Sequence, residues 1–455
     1  MAVPGSIRAG GRIDFRSAMG RGLDPKRTSI VVADASNGQI IAAYQPDLKL
    51  NPASCAKIIT AASALSALGP DHRFHTRFLS EGPPDENGRI KTLYVSGNGD
   101  PMLVSEDLWR MARNLNDLGL KRVSGGIVID DSFFDSHYYP GRPGAQTRAY
   151  AAKTSAVAVN FNAVTIRIAP GRRAGAPAAV AIEPPADYFN LVNKAVTGGS
   201  SQINITLKPG QGQDTIVVSG RVPSRMKSKL YYKRVSDPLA YAGSLIRLVL
   251  SQNGIVVDGK IRRGRVPAGT VEILSAPSKP LAVLVRNMNK FSNNFIAEQI
   301  LKHLGAVRYG RPGSTAKGLT AVAHYLESIG IPRESYELEN GSGLSDRTKL
   351  SARQLVRVLV AAFGDFAMRP EFVTSLPIAG VDGTARDFGP APNVRGLARA
   401  KTGTLGGVSS LAGYVPTANG RIAAFAILSN GLKRGADEAR RSQMKIVRII
   451  SEISL

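Results

Sequence analysis

The two ends of this chain read as partners, and a long stretch between them belongs with neither. Residues 28–35 and 39–44 read as β-branched or apolar strands joined by Ser36-Asn37-Gly38, a strong hairpin signal. Residues 410–415 and 421–428 read as antiparallel strands, and residues 437–453 as a closing helix with Ile446, Val447, Ile449, Ile450 and Ile453 on its buried side. N- and C-terminal strands therefore predict one sheet. Yet 238 residues separate Ser54 from Ser292, the positions where two short polar motifs fall, far more than one helical subdomain needs. A large insertion must leave the sheet and return to it. At 455 residues the chain is also too long for a single core of ordinary size, so two or three domains are expected.

The insertion begins with strands at 90–95 and 126–129 and a helix around 108–118. A β-rich, Gly- and Pro-punctuated middle follows, with candidate strands at 158–168, 178–182, 203–207 and 215–218, then a helix at 238–253 and a strand pair around 255–262. Gly-rich residues 96–101 read as a turn, because no strand-to-helix GKS/T element accompanies them.

Three motifs in fixed order carry the chemistry: Ser54-Cys55-Ala56-Lys57, Ser292-Asn293-Asn294, and Lys401-Thr402-Gly403 followed by Thr404. Each alone is weak. SxxK recurs at Ser224 to Lys227, Ser314 to Lys317 and Ser442 to Lys445, and SxN at Ser96 to Asn98 and Ser251 to Asn253. Context separates Ser54 from the decoys. Asn51 is a good N-cap and Pro52 a good first helical residue, which predicts Ser54 in the first turn of a helix running to about Gly69. There the positive end of the helix dipole favours developing negative charge, and i, i+3 spacing lays Lys57 on the face of Ser54. A Lys partner removes the need for a Ser-His-Asp triad, and His72, His75, His137, His303 and His324 form no ligand pattern. Cys55, the single cysteine, excludes an intrachain disulfide and a thiolate cluster, and is expected to face the helix packing. No cofactor or metal is expected.

Fifty-nine Lys and Arg against 34 Asp and Glu give a net charge of +25. That balance fits a cationic solvated exterior or peripheral attraction to an anionic wall or membrane surface. Basic clusters occur at Arg221, Arg225, Lys227, Lys229, Lys233 and Arg234, and at Lys260, Arg262, Arg263 and Arg265. Neither zinc-finger spacing nor an aromatic-basic RNA-recognition pattern accompanies them, so nucleic acid is not an expected partner. No run of about 18 apolar residues reads as a membrane span. The first 27 residues lack an apolar core, so no signal peptide is readable, and export would imply a leader already removed or a misassigned start.

In these motifs the chain resembles the class C low-molecular-mass penicillin-binding proteins, the D-alanyl-D-alanine carboxypeptidase/endopeptidase family. The likeness extends to GNGDP at 97–101, DDSFFD at 130–135, NFN at 160–162, NGSGLS at 340–345, LPIAGVDGT at 376–384 and LAGY at 411–414. The resemblance implies an α/β (α+β) fold: a β-lactamase/transpeptidase-like domain with an antiparallel five-stranded sheet flanked by helices, formed by 1–70 and 276–455. An inserted α/β domain (71–160 and 228–275) and a nested β-rich domain (161–227) would interrupt it. It further implies a periplasmic or otherwise extracytoplasmic serine D-Ala-D-Ala carboxypeptidase, with endopeptidase action on peptidoglycan cross-links left open, that acts on stem peptides through an acyl-enzyme and is inhibited by β-lactams. Ser54 would be the nucleophile, Lys57 the proton acceptor, Ser292 a relay and Asn294 an orienting amide. Lys401, Thr402, Gly403 and Thr404 would hold the terminal carboxylate. In some relatives an acid in the inserted domain, near the segment equivalent to 136–150, holds the stem peptide's amino group. This chain has no acid there and carries Arg142 and Arg148 instead, so a diaminopimelate preference does not carry over.

Three alternatives stand beside this reading. A β-lactamase would share the site, but no ExxLN deacylating Glu is readable and the long insertion argues against it. A non-catalytic cell-wall-binding scaffold would have no need of the intact motifs. A basic nucleic-acid binder would leave them unexplained.

Overall fold

The computed structural model describes residues 13–137, 147–199, 201–388 and 393–455. The chain forms two compact units, one built from the residues up to His72 and from Pro280 onward, the other from Arg73–Lys279. Much of the acid-free segment at 136–150 lies outside the described residues.

The first unit is organised by an antiparallel sheet of β1 (Thr28–Asp34), β2 (Ile40–Tyr44), β3 (Arg399–Leu405), β4 (Val408–Pro416) and β5 (Ile422–Asn430), in spatial order β3-β4-β5-β1-β2. Every residue of β1 is buried, as expected of a central strand covered on both faces. On one face Ile30, Val32, Leu411, Phe425 and Ile427 pack with Ala439, Ile446, Val447 and Ile450 of the helix Ala436–Glu452. Full burial of each large aliphatic chain contributes about 1.5–3 kcal/mol. Tyr414 marks the other face, where its hydroxyl donates to the Leu359 carbonyl at 2.7 Å and its ring meets Phe363, both of the helix Ala352–Gly364. Strand alternation matters most in β3. Ala400 belongs to the first core, so Lys401 and Gly403 turn to the opposite face.

Among the described residues the second unit holds one five-stranded sheet and three three-stranded ones, the smallest pairing Arg122–Val123 with Val256–Val257 and Arg89–Ile90. A mixed five-stranded sheet runs in the order Ile261–Arg263, Ile127–Asp130, Leu93–Gly97, His75–Ser80, Val271–Pro277. Leu108 and Leu115 of the helix Ser105–Asp117, and Leu245 and Val249 of the helix Pro238–Gln252, share its core with Ile127 and Ile129. Asp237 caps the second helix, its carboxylate accepting from the Leu239 and Ala240 amides, with Pro238 in the first turn. Two three-stranded sheets follow a different plan, Lys229–Arg234 with Ala163–Ala169 and Ala179–Glu183, and Phe189–Thr197 with Asp214–Val222 and Gln202–Pro209. Val164, Ile166, Ile168, Ile216 and Val218 form a core between them. The β-rich part thus includes Lys229–Arg234, which the sequence reading left outside it as part of a basic cluster. Its basic residues at both ends, Lys229, Lys233 and Arg234, suit an edge strand antiparallel to Ala163–Ala169.

Candidate active site

Ser54 is set by a tight turn rather than by the first turn of an α-helix. The Asn51 carboxamide accepts from the Ala53 amide at 2.8 Å and donates to the Ser345 carbonyl at 2.7 Å. Ala53 then takes a positive φ of 46°, which an α-helix cannot accommodate. Residues Ala53–Ala56 form a 3-10 turn, and the α-helix proper is Lys57–Leu68, ended by Gly69 at φ 80°. This corrects the expected helix start at Pro52. The close approach of β3 gives the turn its shape: a Cβ at Gly403 would lie 2.5 Å from the Pro52 carbonyl oxygen and 3.2 Å from the Cys55 amide nitrogen. Only glycine lets this strand lie so close to the serine turn.

Lys57 is fully buried and makes three hydrogen bonds, to Ser54 Oγ at 3.0 Å, Asn294 Oδ1 at 2.7 Å and the Ser342 carbonyl at 2.7 Å. Burial, and then the charge of Lys401, hold its amine well below the ordinary lysine value. The Asn294 amide oxygen and the Ser342 carbonyl can only accept, so Lys57 donates to both, and its third bond runs to the Ser54 hydroxyl, the one partner that also carries a proton to give.

Ser292 and Lys401 form a second cluster. Ser292 sits at φ 54°, between the helices Leu281–Lys290 and Asn294–Tyr309, with Asn293 capping the latter through the Ile296 amide. Lys401, also fully buried, donates to Ser292 Oγ at 2.9 Å and to the Thr402 carbonyl at 2.7 Å. Burial lowers its pKa to about 8. Both amines are therefore easier to deprotonate than an ordinary lysine, Lys57 with the added repulsion of Lys401. Cys55 faces the packing as expected: its thiol donates to the Lys401 carbonyl at 3.2 Å, and burial pushes its pKa up to about 12. It is no nucleophile.

Four contributors were not legible as site residues. Glu298 accepts from the Gly341 and Ser342 amides at 3.1 and 2.9 Å, which orients the Ser342 carbonyl toward Lys57, and burial raises its pKa. Ser342 acts through its backbone carbonyl, and lies in the NGSGLS run at 340–345 that the sequence marked without a role. Thr384 accepts from the Thr402 hydroxyl at 2.6 Å, and Arg440 reaches Thr404 Oγ1 at 3.5 Å from the helix Ala436–Glu452. Arg440 also pairs with Asp437 at 3.3 Å. The i, i+3 placement of those two residues was the one sequence signal available for it.

A serine hydroxyl bonded to a buried lysine of lowered pKa, with a second buried lysine on the adjoining strand, is the arrangement of serine–lysine acyl-transfer enzymes. Comparison with known proteins narrows the class: the D-Ala-D-Ala carboxypeptidase 3 (S13) family model matches residues 16–452, and the chain belongs to that family. It is 34% identical over 426 residues to a D-alanyl-D-alanine carboxypeptidase of Actinomadura sp. (strain R39), covering 90% of this chain and 78% of that one. The crystal structure of penicillin binding protein 4 from Haemophilus influenzae superposes with a TM-score of 0.84 at 26% identity, covering 96% of this chain and 98% of the other. A complex of the same H. influenzae protein with a β-lactam gives a TM-score of 0.77 at 27% identity, over 95% and 96% of the two chains.

Proposed function

We propose that this chain is a serine D-Ala-D-Ala carboxypeptidase acting on peptidoglycan stem peptides outside the cytoplasm. The observation that carries the reading is the hydrogen-bonded set of Lys57 with Ser54 and Asn294. In this scheme Ser54 Oγ attacks the carbonyl of the penultimate D-Ala and its proton passes to Lys57 Nζ. Backbone amides of Ser54 and Thr404 receive the oxyanion. Collapse of the tetrahedral intermediate breaks the peptide C–N bond, and Ser292, held by Lys401, relays the proton to the departing D-Ala amine. Water then cleaves the Ser54 ester. Lys401, Thr402 and Thr404 bind the terminal carboxylate, with Arg440 as a further cation beside Thr404, and Gly403 keeps the strand close to the serine turn. Asn294 orients both Lys57 and the substrate amide. The same set would be trapped by β-lactams, a reading supported by the β-lactam complex of the H. influenzae relative. Residues 71–160 with 228–275, and 161–227, we assign as an inserted and a nested domain, the latter with its boundary moved to include the strand Lys229–Arg234.

Incubation with penicillin followed by intact-mass measurement tests the reading. One long-lived adduct per chain is expected, absent in Ser54→Ala, together with D-Ala release from a pentapeptide by the untreated protein. Rapid turnover of penicillin would instead indicate a β-lactamase. Absence of both adduct and D-Ala release would overturn the enzyme.

A further inference from the structure

We propose that the inserted unit carries a saccharide-binding site, centred on Trp109 and built for a neutral N-acetylhexosamine; the choice of sugar rests on the peptidoglycan reading above. Trp109 is the only tryptophan of the chain. The helix Ser105–Asp117 buries Leu108, Met111, Ala112 and Leu115, while Trp109 lies off that stripe and stays 46% exposed. It lines a cavity of about 420 Å³, within the size range of small-molecule sites.

The opposite wall comes from the helix Pro238–Gln252, where Leu245, Leu248 and Gln252 fall at i, i+3 and i+7 and so face one way. Pro185 adds a rigid apolar surface, and Glu106 and Arg110 stand one turn apart on the tryptophan helix. A pyranose ring presents two kinds of surface: axial C–H groups that stack on an aromatic face, and equatorial hydroxyls that need donors and acceptors around the rim. Indole, leucine and proline match the first; Glu106, Arg110 and Gln252 match the second. An acetamido group also has a methyl that an apolar wall accepts.

Charge selects a neutral occupant. The chain carries +25, yet the cavity's charged side chains are one acid and one base, and Arg110 is further paired with Asp107. The cavity thus offers an anionic lipid or polyanion no net positive charge. The alternating sugars of a glycan strand fit, and they are the half of peptidoglycan that the serine site does not contact.

Tryptophan emission reports this cavity alone, because no second indole contributes. Full-length protein, with Ser54 first acylated by penicillin, would be titrated with a β-1,4-linked N-acetylglucosamine tetramer, and separately with glycan strands stripped of stem peptides. A saturable emission change is expected with both, and calorimetry should show at least a tenfold loss of affinity for the tetramer in Trp109→Ala, with penicillin acylation retained. Unchanged emission up to millimolar tetramer, or equal affinity in Trp109→Ala, would overturn the site. Emission changes with stripped strands but not with the tetramer would also overturn it, since the ligand would then be the acidic lactyl group. Failure of sugar binding with normal acylation removes this site and leaves the carboxypeptidase intact; failure of acylation does the reverse.

Discussion

The surface ion pairs of the inserted unit and the buried lysines of the serine site treat positive charge in opposite ways. In the inserted unit guanidinium groups lie at the surface against carboxylates: Arg122 holds Asp258 at 2.7 Å and Arg167 holds Glu183 at 2.6 Å. Those hydrogen bonds raise the pKa of both arginines. In the unit with the serine, Lys57 and Lys401 are buried and bonded to hydroxyls, an amide oxygen and backbone carbonyls, and both pKa values fall. The same charge is thus fixed at those surface pairs and made removable at the serine site. A carboxylate in direct contact would have kept Lys57 an ammonium group; neutral acceptors satisfy its hydrogens without stabilising the charge.

Replacing the buried amine should produce the largest change. Lys57→Met is expected to slow acylation by β-lactam about 10²–10⁴-fold, the usual contribution of a general base, as measured by stopped-flow or intact mass. It should also raise the urea midpoint at neutral pH. The sign follows from the lowered pKa: the unfolded chain holds the lysine proton up to the ordinary lysine value of 10.5, while the folded chain gives it up at lower pH. Folding is therefore penalised at neutral pH and the penalty vanishes above that value. The stability advantage of the methionine variant should shrink as pH approaches 10.5.

Glu298→Gln sharpens the contrast by a smaller amount. Glu298 is the nearby acid whose charge opposes the fall in the Lys57 pKa. Its loss should move the acid limb of the acylation–pH profile to lower pH, with the plateau rate changed by less than about tenfold, since Gln can still accept from one of the two amides. An acid limb that stays in place would show that Glu298 only positions the loop. Smallest of all, Arg122→Ala removes an exposed pair and should leave both the acylation rate and the urea midpoint within error of the parent.

Much of this was legible in the letters, for identifiable reasons. The hairpin at Ser36-Asn37-Gly38 and the amphipathic closing helix announce themselves through turn chemistry and periodicity, and both formed as read. The strands His75–Ser80, Phe189–Thr197 and Val271–Pro277 were not identified; interspersed His, Arg, Asn, Lys and Glu mask their apolar pattern, and long-range pairing makes them strands. In the site, Ser54, Lys57, Ser292, Asn294 and Lys401 carry side chains in recognisable spacing. Ser342 contributes a carbonyl, Glu298 acts on backbone amides and Arg440 arrives from a distant helix, so their roles exist only in three dimensions. The pairing of His72 and His303, whose Nε2 atoms lie 2.8 Å apart, likewise joins positions with no sequence relationship.

The claim on which the account rests is that Lys57 is the base that takes the Ser54 proton, its pKa held low by burial and by the charge of Lys401. The second-order rate constant for acylation of Ser54 by penicillin, measured from pH 5 to pH 10 with the chain shown to stay folded, tests it most directly. The account predicts a plateau through neutrality that falls on the alkaline side near the Lys401 value of about 8. A rate that climbs steadily toward pH 10, following an ordinary lysine losing its proton, would contradict it.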